Sequence, residues 1–250
     1  NSVLLWFRAD DRQMAASLIR LGLGAIVVSM YLFHYPFRSY LWGPNGFIAY
    51  DTFLELLAAK GSFSVYSYAT SQIKFEILFH LGLVVTISWW LGIWSRVTGL
   101  LTYLFTFSLW ERNWLILDGG DNVLIIALFF LMFARTDRYF AITKRRHKDP
   151  AFPVSQTVRH EVATVLHNFA LVAILIQISI VYLTSALFKI QGEMWQHGVA
   201  LYYVMRVQEF TYPGISSWIY QNGIAVTLLT YATVFEQLSY PFMFLNKWTK

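Results

Sequence analysis

The run Val162–Phe188 contains no charged residue and then meets Lys189. About 20 apolar residues, rising 1.5 Å each in a helix, cross a hydrocarbon core of about 30 Å. Within that core each backbone N–H and C=O has to be bonded inside the segment, which makes the run a helix. Similar stretches occur at Met14–Leu32, Phe75–Ile93, Val97–Trp110, Val123–Ala134 and Trp218–Leu238. The composition agrees: 57% of residues are hydrophobic and only 13% charged, against about 25% charged in soluble domains. The expected fold is all-α: a polytopic membrane bundle of about six transmembrane helices. Short interfacial or re-entrant helices are expected on one face, at Phe47–Ala59 and Met194–Val207. No repeat or linker divides the chain, so 1–250 is expected to form one domain.

There is no cysteine, which excludes disulfides, thiol nucleophiles and Cys-ligated metals within this chain. The histidines lack metal-ligand spacing. The net charge of +5 reads as topology rather than as a nucleic-acid site, because basic residues concentrate on the cytoplasmic side of membrane proteins. Arg8, Arg12, Arg96, Arg135, Arg138 and the run Lys144–Lys148 fall on one side. Both termini are therefore expected in the cytoplasm of a multi-pass cell-membrane protein. The run Lys144–Lys148 reads as an anchor to lipid phosphates. The chain starts at Asn1, not Met, and a preceding segment is expected.

With that orientation three polar-rich segments share the outer face: His34–Ser71, Arg112–Asn122 and Lys189–Tyr203. Lys189 is the costliest residue there. It is either a general base or a fixed positive charge, or it only snorkels to the interface. Glu193 follows four residues later and would pair with it if the helix continues. His197 lies close by in sequence. In the second segment, Arg112 and Asn113 are candidates to hold an anionic or carbonyl group. Asp121 either orients a neighbouring group or caps the next helix. His80, inside a span, either relays protons or bonds a neighbouring helix. Glu236 either pairs with Arg20 or takes part in chemistry.

Two motif groups carry a family resemblance. One is Arg112-Asn113-Trp114 with Gly119-Gly120-Asp121. The other is Ser185 to Lys189, followed by Trp195, Gly198 and Ala200 to Tyr203. Arg20 to Gly24 and Leu41 to Gly46 fit as well. In this order the chain resembles the HTTM (horizontally transferred transmembrane) domain, the membrane domain shared with vitamin K-dependent gamma-carboxylase. Within that family it is most similar to the bacterial sporulation-delaying protein B group. The resemblance implies that Lys189 stands at the place of the carboxylase's base. Two departures are visible. Trp195 follows Lys189 by six residues, a wider spacing than the carboxylase's. Asn113 precedes Trp114 where the carboxylase has a histidine. The carboxylase's large soluble domain has no counterpart here.

The resemblance implies a membrane factor that matures a secreted, toxin-type peptide precursor at the extracytoplasmic face, together with a small partner protein. Lys189, Arg112, Asn113, Asp121, Glu193 and His197 would form its site. No cofactor follows from the residues; a quinone such as menaquinone is one candidate. A second reading is a non-enzymatic scaffold, export or immunity component whose aromatic segment Tyr35–Tyr68 grips an amphipathic peptide. A weaker third is a quinone-linked membrane enzyme.

Overall fold

The computed structural model describes residues 12–143 and 154–243. The polar N-terminal segment up to Asp11, the basic run Lys144–Lys148 and the C-terminal Lys247 and Lys250 lie outside them. The described residues are helical, with no strand. They fall into two compact units, divided between Ile174 and Leu175.

In the first unit, α1 (Gln13–Phe33) ends where Pro36 opens a 3-10 turn. The short α2 (Arg38–Trp42) and α3 (Tyr50–Lys60) follow. Gly61, at φ 61°, closes α3, and the amides of Gly61 and Ser62 return to the carbonyls of Ala58 and Leu57. This is the left-handed stop that glycine provides at low cost. Ser71 caps α4 (Gln72–Trp90) by accepting the amide of Lys74. α5 (Ser95–Arg112) turns back tightly, and α6 (Gly119–Leu131) follows. α4 packs on α1 and α5, and α6 packs on α5 and α1.

Tyr31, Trp42, Tyr66, Phe75 and Phe79 form an aromatic interior. At Gly82 a β-carbon would stand 2.6 Å from the Tyr31 hydroxyl and 3.0 Å from the Phe105 ring. The missing side chain is what lets three helices meet there, as small residues do in membrane bundles. Arg20, inside α1, is fully buried. Its guanidinium donates to Ser95 Oγ and to the carbonyls of Tyr139 and Phe140.

The long α7 (Val154–Gln191) crosses the division between the units. The second unit continues with α8 (Glu193–Gln196), α9 (Ala200–Val204), α10 (Ile215–Gln221) and α11 (Gly223–Met243). Gly198, at φ 70°, separates α8 from α9 under Thr227 and Tyr231 of α11. Tyr231 donates to the Gln196 carbonyl at 2.8 Å, and the Leu201 amide donates to Thr230. The segment expected as one interfacial helix is therefore two short ones tied to α11.

Among the described residues three helices are long and apolar enough to cross a membrane: α1, α4 and His160–Gln191 of α7. The other three expected spans fall short for physical reasons. α6 has 13 residues, about 20 Å of helix. α5 carries Thr98, Thr102, Thr106, Ser108, Glu111 and Arg112. The helix expected over Trp218–Leu238 breaks at Asn222, whose side chain caps α11 through the amides of Ile224 and Ala225. α11 also carries Glu236 and Gln237.

The turn between α4 and α5 rests on Gly92, at φ 74°, where a β-carbon would lie 2.6 Å from the backbone of Ala141. Gly92→Ala combines left-handed strain with a backbone clash. It is expected to cost about 2 kcal/mol, read as a lower melting temperature in detergent. An unchanged melting temperature would contradict this packing.

Candidate functional site

Arg112 is the last residue of α5 and only 1% exposed. Its Nη2 donates to the carbonyls of Gly43 at 2.6 Å and Ile48 at 2.8 Å. The guanidinium lies 4.7 Å from the centre of the Phe53 ring. Nη1 is buried without a hydrogen-bond partner. Burial lowers its pKa to about 10, with the nearby Tyr50 acting the other way, so the group stays charged at neutral pH. Asn113 is also buried; its Nδ2 donates to the Leu41 carbonyl and its Oδ1 accepts the Leu115 amide. Together these two side chains bind carbonyls, and the carbonyls belong to the chain's own segment 41–48.

The same end of α5 holds a second loop. Ser108 Oγ accepts the Val65 amide, and its carbonyl accepts Ser64 Oγ. Tyr66, beside Ser64, is buried, and that burial pushes its pKa well above the ordinary phenol range. Lys60 bonds Glu111 at 3.5 Å and lies over the Trp114 ring.

Asp121 stands apart from Arg112's bonds. Asp118 is the N-cap of α6, and Asp121 at the third position returns a bond to the Asp118 amide at 3.0 Å. The capping expectation holds as a reciprocal capping box, with Asp118 and not Asp121 in the N-cap position.

In the second unit, Lys189 Nζ donates to Ser185 Oγ at 2.8 Å and Gln237 Oε1 at 2.7 Å. It also lies 5.2 Å from the centre of the Trp195 ring. The amide oxygen of Gln237 only accepts, an arrangement suited to an ammonium. The expected pairing with Glu193 does not form. α7 stops at Gln191, and Gly192 is extended at φ −85°, ψ 126°, so the four-residue helical spacing is lost. Glu193 and His197 are exposed residues in and after the first turn of α8.

One polar cluster includes His80, whose Tyr35 partner lies outside its own helix, and centres on Glu76, which the sequence does not single out. Glu76 accepts Arg38 Nε at 2.9 Å, Gln72 Nε2 at 3.0 Å and Ser39 Oγ at 3.2 Å. His80 Nδ1 lies 2.7 Å from the Glu76 carbonyl and 3.5 Å from its carboxylate. His80 Nε2 lies 2.9 Å from the Tyr35 hydroxyl. Besides His80 itself, its trace in the sequence is the four-residue spacing of Gln72, Glu76 and His80, which puts them on one helix face.

No protein-family model matches the chain, and no solved structure matches it. Among curated proteins it is similar to Sporulation-delaying protein SdpB of Bacillus subtilis (strain 168). The two are 26% identical over 174 residues, 66% of this chain and 50% of that protein. The chain thus spans half the length of the curated relative it matches.

Arg112 and Lys189 differ in what they hold. Arg112→Met strands two carbonyls, each worth about 1–3 kcal/mol when left unsatisfied. It is expected to lower the melting temperature in detergent sharply, whereas Lys189→Met changes it little. Equal shifts would contradict the assignment of the structural role to Arg112.

Proposed function

We propose that this chain is a multi-pass membrane protein that takes part in maturing a secreted, toxin-type peptide of the sporulation-delaying kind. Its similarity to Sporulation-delaying protein SdpB carries this reading. The motif order around Arg112 and Lys189, which resembles the HTTM domain, supports it. The work is done at the extracytoplasmic face, with a small partner protein. Lys189 acts there as a fixed cation that holds a carboxylate or developing oxyanion of the peptide. Its two acceptors, Ser185 and Gln237, favour that role over a base. Within the first unit Arg112 and Asn113 hold the segment 41–48 and Asp121 completes the cap of α6; Glu193 and His197 have supporting places beside Lys189.

A second reading is favoured by a separate observation. Phe33, Phe37, Tyr40, Phe47 and Tyr68 are all more than half exposed. A scaffold that grips an amphipathic peptide would use them.

Mass spectrometry of the secreted peptide, at matched membrane abundance, separates the two. Lys189→Met is expected to reduce mature product at least about tenfold, a loss of about 1.4 kcal/mol, with precursor accumulating. Lys189→Arg, which keeps the charge, retains it. Full product from Lys189→Met would remove Lys189 from the site and favour the scaffold.

A further inference from the structure

The cluster around Glu76 holds more bonds than a latch requires. Arg38, Ser39 and Gln72 already fix the segment 38–39 to α4 through the Glu76 carboxylate. The bond between Tyr35 and His80 is additional, and its chemistry is specific. A carbonyl oxygen only accepts, so His80 Nδ1, 2.7 Å from the Glu76 carbonyl, carries the proton. In the neutral ring Nε2 is then the acceptor, and the Tyr35 hydroxyl, 2.9 Å away, is the donor. A hydroxyl donates to a base whose far nitrogen is oriented by a third group. That is the arrangement by which a hydroxyl is activated.

The charges on either side match the products of a proton transfer. The Arg38 guanidinium lies over the Tyr35 ring, 4.2 Å from its centre, where its charge favours the phenolate that would form. The Glu76 carboxylate lies 3.5 Å from His80 Nδ1, beside the positive charge that would form. The pair is reachable: the His80 side chain is 44% exposed and Tyr35 is partly exposed.

We propose that Tyr35 and His80 form an acid–base pair that takes a proton from a protic nucleophile, an amine, thiol or hydroxyl, on a bound peptide. The substrate's X–H proton passes to Tyr35 Oη as the phenolic proton passes to His80 Nε2. The products are the deprotonated nucleophile, a neutral phenol and an imidazolium beside Glu76. No electrons change hands, and water takes the proton from the imidazolium to reset the pair. Tyr35 is the catalytic residue; His80 acts through it, and Arg38 and Glu76 position both. The peptide nature of the substrate rests on the proposed function; the pair itself does not.

The first test therefore needs no substrate. Full-length protein in native membranes is treated with an aryl sulfonyl fluoride, which captures tyrosines that have a base at hand, and labelled sites are quantified by mass spectrometry. Tyr40 and Tyr68, 59% and 68% exposed, are the internal controls. Tyr35 is expected to label at least tenfold faster than either, despite being less exposed, and to lose that advantage in His80→Gln. Labelling of Tyr35 no faster than Tyr40, or unaffected by His80→Gln, overturns the pair. The second test reads mature peptide from Tyr35→Phe, which keeps the ring over Arg38, and from His80→Ala with and without added imidazole. Loss in both, with recovery of His80→Ala by imidazole, is expected; full product from Tyr35→Phe overturns the catalytic role. Wild type that leaves the precursor unprocessed defeats the proposed function, while the labelling result still decides the pair.

Discussion

A guanidinium buried without a carboxylate partner is costly, and Arg112 offsets that cost with backbone carbonyls. Of the two it holds, Gly43 lies within the turn that the Phe47 amide closes on the Tyr40 carbonyl, and Ile48 directly follows it. Asn113 adds Leu41, and Ser108 ties the Ser64–Val65 segment to the same helix end. So one end of α5 organises most of the chain between α1 and α4. That chain is otherwise short helices and turns with few means of holding itself. The buried Phe53 face of α3 packs under the same guanidinium. The arginine here is held geometrically: Nη2 reaches both carbonyls while the planar guanidinium lies against the Phe53 ring.

Lys189 is the contrasting cation. It ends a membrane-length helix, is only partly buried, and meets two neutral side chains and an indole face. Such a group keeps a donor available for an anionic partner, whereas Arg112 has committed its Nη2 to the fold. The division of labour between two basic residues follows from what each side chain is bonded to.

The sequence made the membrane-length helices readable wherever an apolar run was long, as in α1, α4 and α7. It also marked Arg112 and Lys189 as unusual, because charge at the end of an apolar run is expensive. What it hid depended on distance or on a single backbone choice. Gly192 could have continued the helix; its extended conformation separated Lys189 from Glu193. Asn222 interrupted an apolar stretch by capping a new helix. Asp118 and Asp121 each suit an N-cap, and only the helix start decides between them. Glu76 stayed invisible because its main partners, Arg38 and Ser39, lie 38 and 37 residues away.

Hydrogen–deuterium exchange of the full-length protein in lipid, comparing wild type with Arg112→Gln, tests the organising role of the buried guanidinium most directly. Exchange across residues 43–48 is expected to rise at least about tenfold, about 1.4 kcal/mol of lost protection, while α1 and α4 keep theirs. Unchanged protection of that segment would mean that Arg112 does not hold it.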